Sequence, residues 1–151
     1  MRAALLTGLV AGCIGSPGGS LEVPVLDFPS FQSDLQPILG ERCGNPSCHG
    51  RPDRPFSVHC AGRWRADPHR TFLDEPLSPE EMIADYARAC GFAVGIRAPG
   101  DCLLLKKPLA VAADGVGHLG GDVWIDTRDP EYRVVEAWLA TARPRSEEDE
   151  P

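Results

Sequence analysis

Cys43-Gly44-Asn45-Pro46-Ser47-Cys48-His49 puts two thiols and an adjoining imidazole within seven residues. Two cysteines followed directly by a histidine is how a chain takes haem covalently. In the usual C-x-x-C-H form each thiol adds to one vinyl group and the histidine becomes the proximal iron ligand. Here four residues separate the thiols instead of two. Gly44 and Asn45 tolerate unusual backbone angles and Pro46 holds Asn45 extended, so the two additional residues are composed like a turn that loops out between the thiols.

The chain around this stretch divides into four parts. Met1-Arg2, the apolar run from Ala3 to Val10 and the small residues before Cys13 resemble a bacterial lipoprotein signal over residues 1–12, which implies Cys13 as the lipidated N-terminus after cleavage. The apolar run is far shorter than the roughly 20 residues that span a bilayer, so attachment would be by lipid alone. By likeness to known lipoproteins, Ile14 in place of Asp points to outer-membrane sorting; the expected location is thus exported and membrane-anchored, in the periplasm or at the outer membrane or cell surface. Residues 13–29 are rich in Gly, Pro and Ser and read as a flexible tether, the part after Cys13 reaching at most about 50 Å when extended. Residues 143–151 form an acidic tail too charged to pack. Residues 30–142 are the size of one small domain.

Fifteen basic residues against 22 acidic ones give a net charge of −7. That balance argues against nucleic acid as a partner and is compatible at most with a basic redox partner.

Three helices are predicted in the domain. Ser30 is placed to cap Phe31 to Arg42, with Phe31, Leu35, Ile38 and Leu39 on one side and Pro37 kinking or restarting the helix. Ser78-Pro79-Glu80-Glu81 is a capping box opening a helix with Met82, Ile83, Tyr86 and Ala87 as its apolar stripe, stopped at Gly91. Asp129-Pro130 opens a third, Glu131 to Thr141, with Val134, Val135, Trp138 and Leu139 buried. Between them, Cys102-Leu103-Leu104-Leu105 is a short apolar turn, and His118 sits among Gly115, Gly117, Gly120 and Gly121, a backbone composed for close approach. Strand pattern is confined to Val123-Trp124-Ile125, so the fold class is mainly α with long Gly/Pro-rich loops.

Phe31 to Leu39, the Cys43–His49 box followed by Gly50, Leu103 to Leu109, His118-x-Gly-Gly, and Tyr132 to Leu139 occur in that order. In this order the chain resembles the small cytochrome c-like domains of exported planctomycete and myxobacterial proteins, over about Ser30 to Ala142. The resemblance implies a cytochrome c-like helical fold carrying one covalent haem c on Cys43 and Cys48, with His49 as proximal iron ligand. It implies that the helix ending in Trp138 packs across the first one. It also implies His118 as distal iron ligand, with Met82, His59 and His69 as the other candidates. Two imidazoles hold haem at a lower potential than a His/Met pair.

Cys60, Cys90 and Cys102 remain. In an oxidising compartment two of them are expected to form a disulfide; Cys60 with one of the other two is favoured, because the long loop between Arg51 and Leu77 needs a staple. The leading expectation is an electron-transfer protein and not an enzyme, since no nucleophile-base set stands out and Asp114, Asp122 and Asp126 near His118 read as solvated turn residues or weak calcium ligands. One alternative is a zinc-stabilised binding module using Cys43, Cys48, Cys60 and His49 or His59. Another is a cofactor-free, disulfide-stapled surface lipoprotein.

Overall fold

The computed structural model describes residues 23–146. The expected signal, Cys13, the start of the expected tether and the last residues of the expected tail lie outside that range. Among the described residues the regular structure is helical, and strand pairing is limited to two isolated bridges, Val25 with Arg143 and Leu109 with Trp124. No helix among them is long and apolar enough to cross a membrane.

Helix α1 is a continuous run over residues 28–43, in which α turns at Phe28–Ser30 and Gln36–Ile38 alternate with wider π turns at Phe31–Leu35 and Leu39–Cys43. It starts earlier than the sequence predicts. Asp27, not Ser30, is the cap, its carboxylate accepting from the Ser30 amide at 2.8 Å. Pro37 neither breaks nor restarts the run: it follows the π turn at Phe31–Leu35, whose wider winding makes room for the ring, and the helix continues to Cys43. Phe31, Leu35 and Leu39 are buried as expected.

Helix α2, Pro79–Gly91, carries the complete capping box: the Glu81 amide donates to Ser78 Oγ at 3.2 Å and the Ser78 amide to Glu81 Oε2 at 2.9 Å. Its inward side differs from the expected stripe. Ile83 is 57% exposed, whereas Glu81 and Asp85 are buried beside Ala89 and Cys90. Carboxylates turn inward here because the loop over residues 51–77 brings them cations and donors. Arg65, 1% exposed, makes a 2.7 Å ion pair with Glu81 and also donates to the Glu75 and Pro76 carbonyls. His59 Nδ1 donates to Asp85 Oδ1 at 2.8 Å.

The loop is therefore stapled, though not by sulfur. All five described cysteines are free thiols, so the expected disulfide between Cys60 and Cys90 or Cys102 is not formed. The Cys60 sulfur lies toward Gly40 of α1, while the Cys102 thiol donates to the Phe92 carbonyl.

Helix α3 is the short turn Leu103–Lys106, and α4 is Pro130–Leu139 behind its Asp129 cap. Helix α4 buries Tyr132, Val135, Trp138 and Leu139. The Trp138 ring meets Phe31 at 5.6 Å between centres, and its Nε1 donates to the Asp27 carbonyl at 2.9 Å. The Val25–Arg143 bridge and the buried Leu26 extend the folded body back past the expected boundary at Ser30 and forward to Arg143. At the other end of α4, Glu131 holds Arg42 through three hydrogen bonds of 2.8, 2.9 and 3.1 Å, which fixes the end of α1 where the cysteine box begins.

Candidate functional site

The box begins where α1 ends. The Gly44 amide closes the last turn onto the Leu39 and Gly40 carbonyls, and Asn45 then organises the insertion: its side-chain oxygen accepts from the Ser47 amide at 2.9 Å, and its carbonyl from the Cys48 and Gly50 amides at 2.8 and 2.9 Å. The His49 amide bonds the Cys43 carbonyl at 3.1 Å. The four residues between the thiols thus coil into a turn, and Cys43, Cys48 and His49 line one cleft. Two glycines permit this crossing. A Cβ on Gly44 would sit 2.6 Å from the Gly40 carbonyl oxygen, and one on Gly50 would overlap the Gly44 carbonyl.

The remaining walls come from α1 (Leu39, Arg42), the loop aromatics Phe56 and Phe92, the segment from Leu103 to Pro108, His118 with Gly120, and Val123 with Trp124. The ring centres of His49 and His118 are 5.9 Å apart and their planes lie within 2° of parallel. Two imidazoles bonded to one metal from opposite sides, at about 2 Å per bond, have centres about 6 Å apart. His49 Nδ1 lies 2.6 Å from the Phe56 carbonyl oxygen, and His118 Nδ1 lies 3.2 Å from that of Gly121. A carbonyl only accepts, so Nδ1 carries the proton in both rings and each Nε2 keeps a lone pair. This is the tautomer of a metal-ligating histidine with a backbone partner behind it.

Burial holds the His49 pKa below the usual imidazole range against the opposing Phe56 bond, and the nearby His118 lowers it further, so the ring is neutral at neutral pH. Burial also pushes the Cys43 thiol up to about 12, helped by the proximity of Cys48 and Glu131. Cys43 is thus held as a thiol in the cleft wall, and Cys48 Sγ lies 3.6 Å from Ser47 Oγ.

In donor chemistry these residues fit a covalently held haem: two free thiols for thioether bonds and two neighbouring, parallel imidazoles protonated on Nδ1. In size the cleft is tight, enclosing about 160 Å³, against roughly 300–1,000 Å³ for ordinary small-molecule pockets. A macrocycle enters only if a wall gives way. The stretch over residues 117–122 is the wall that carries His118. It is anchored at its ends by the Val116 amide on the Lys106 carbonyl and the Val123 amide on the Pro108 carbonyl, and Leu119 stands fully in solvent. Gly117 and Gly121 take φ values of 82° and 84°, a left-handed backbone that other residues resist.

The other ligand candidates lie elsewhere. His59 is buried and tied to Asp85, His69 is exposed in the turn Pro68–Arg70, and Met82 packs against the core from α2; none of the three lines the cleft. Cys60 is also outside it, so the cleft does not bring together Cys43, Cys48 and Cys60. Phe56 was not legible as part of the site. Its role is exercised through a main-chain carbonyl, which no side-chain motif encodes.

No protein-family model matches the chain, and no solved structure matches it. Among curated proteins, an ornithine carbamoyltransferase of Paracoccus denitrificans (strain Pd 1222) is 27% identical over 136 residues, an alignment covering 78% of this chain. The chain spans about two fifths (39%) of the length of that relative.

Proposed function

We propose that the chain is an electron-transfer protein and not an enzyme: a lipid-anchored monohaem c-type cytochrome on a cytochrome c-like domain, with haem attached through Cys43 and Cys48, His49 as proximal ligand and His118 as distal ligand. The observation that carries this reading is the parallel pair His49 and His118, 5.9 Å between ring centres and each with Nδ1 on a carbonyl, in the cleft that both thiols also line. The haem, when bound, supplies one-electron redox chemistry. The chain's own contributions are positional. Phe56 and Gly121 orient the imidazoles, the Asn45 turn sets the thiol spacing, and Phe56, Phe92, Leu104 and Trp124 give an apolar wall that limits water.

The lipid on Cys13 and the exported location belong to the same proposal. They rest on the sequence of residues 1–13 and on the need for a compartment where haem is attached to thiols. The carbamoyltransferase likeness leads to no second proposal, since the cleft's donors are imidazoles and thiols.

The distal assignment has its own test. Protein produced with a periplasmic haem-ligation system is expected to show a low-spin Soret spectrum, and His118→Ala is expected to convert it to high spin with haem retained. A low-spin spectrum unchanged by the substitution would remove His118 from the coordination, and a wild-type protein with no Soret band would overturn the function.

A further inference from the structure

The buried pair of His59 and Asp85 takes no part in the cleft, yet it is connected to it. We infer that Asp85 is a positioning residue for the His49 imidazole, acting through the main chain of residues 56–60. His49 depends on that segment twice: its Nδ1 donates to the Phe56 carbonyl, and its own carbonyl accepts from the Val58 amide at 2.8 Å. The segment has no regular secondary structure, so its position is set by what holds it from behind.

That hold is centred on Asp85. One carboxylate accepts from the His59 amide at 2.9 Å, from His59 Nδ1 at 2.8 Å and from Arg88 Nη1 at 3.0 Å, and Arg88 also reaches the Ser57 carbonyl at 3.5 Å. Gln36 of α1 donates to the His59 carbonyl at 3.0 Å, and Trp64 stacks on the His59 ring at 4.2 Å. Ser57, Val58, His59 and Asp85 are all buried, so water does not replace these bonds when one is lost. Phe56, whose carbonyl accepts the His49 Nδ1–H hydrogen bond, is three residues from His59, and Val58, whose amide bonds the His49 carbonyl, is one. A slackened segment therefore loosens the hold on His49, the Phe56 bond included. The weaker this bond, the less basic the imidazole and the less it stabilises an oxidised metal.

The effect on a reduction potential rests on the function proposed above; the effect on the His49 proton does not. The test uses Asp85→Asn, which keeps the shape and removes the charge. In haem-free protein, ¹⁵N NMR of the His49 ring is expected to show a single Nδ1–H tautomer in the wild type and a measurable Nε2–H fraction in the variant. In haem-loaded protein the midpoint potential is expected to move to more positive values, with haem content unchanged. Glu81→Gln, which loosens the same loop through Arg65, is expected to lower the melting temperature without moving the tautomer or the potential. If Asp85→Asn fails to fold, Arg88→Gln at the partly exposed end of the network is expected to move both readouts in the same direction by less. His49 ¹⁵N shifts unchanged in a folded Asp85 or Arg88 variant would overturn the inference. A wild-type chain that takes no haem would overturn only the function proposed above, since the tautomer measurement still decides this one.

Discussion

Replacing both Cys43 and Cys48 by serine is expected to abolish covalent haem entirely, and each single replacement to leave a protein attached through one thioether only. The expectation rests on geometry particular to this chain. The additional residues between the thiols are folded away by the Asn45 turn, so both sulfurs border the same cleft although four residues separate them. Serine preserves size and hydrogen bonding at the partly exposed Cys48, which isolates the missing bond from a packing defect. Because a tightly held group stabilises the folded state that binds it, the double variant is also expected to melt well below the loaded wild type and close to haem-free wild type. Denaturing gels stained for haem and melting curves read the two effects separately. Haem-stained bands of unchanged intensity in the double variant would remove these thiols from the proposal.

Glu81→Ala is expected to have the largest effect on stability alone. Glu81 accepts from Arg65, from the Ala66 amide and from the Ser78 amide, so one carboxylate caps α2 and holds the long loop. Removing one partner of a buried ion pair leaves the other charge unpaired and costs about 3–5 kcal/mol, a large share of the roughly 5–15 kcal/mol that keeps a domain folded. The pH dependence carries the same signature. Burial alone would raise the Glu81 pKa, but the Arg65 guanidinium and the backbone donors outweigh it and hold it at about 2. A carboxylate depressed in the folded state contributes stability above its unfolded pKa of about 4.3, and that contribution fades as pH falls from there toward 2. With one pKa unit worth about 1.4 kcal/mol, the linked stability at neutral pH is roughly 3 kcal/mol. Chemical denaturation from pH 7 to pH 3 is expected to show this acid limb in the wild type and a flatter one in Glu81→Ala. Equal slopes in both proteins would place the acid sensitivity elsewhere.

The parts of the molecule legible in the sequence are those written in local rules. The capping box at Ser78, the Pro130 start of α4, the inward residues Phe31, Leu35, Val135 and Trp138, and the turn character of Gly44 to Ser47 all follow from short-range chemistry. What was misread depends on partners far along the chain. Nothing near Glu81 or Asp85 announces that both turn inward, because their partners Arg65 and His59 arrive from a loop 16 and 26 residues away. The same two pairs replace the disulfide expected from Cys60: the need for a staple was legible, its chemistry was not. For the site, the thiols and His49 declare themselves by spacing, and His118 by its glycines. The Phe56 carbonyl that fixes the His49 proton has no sequence signature, since any residue supplies a carbonyl.

The central claim, one haem covalently bound through the Cys43–His49 box, is tested most directly by intact mass spectrometry of the protein under denaturing conditions after production with a periplasmic haem-ligation system. The account predicts a mass equal to the processed chain plus one haem, with the haem carried on the peptide containing Cys43 and Cys48 and neither thiol left to alkylate. A mass equal to the chain alone, with both thiols alkylated, would contradict it.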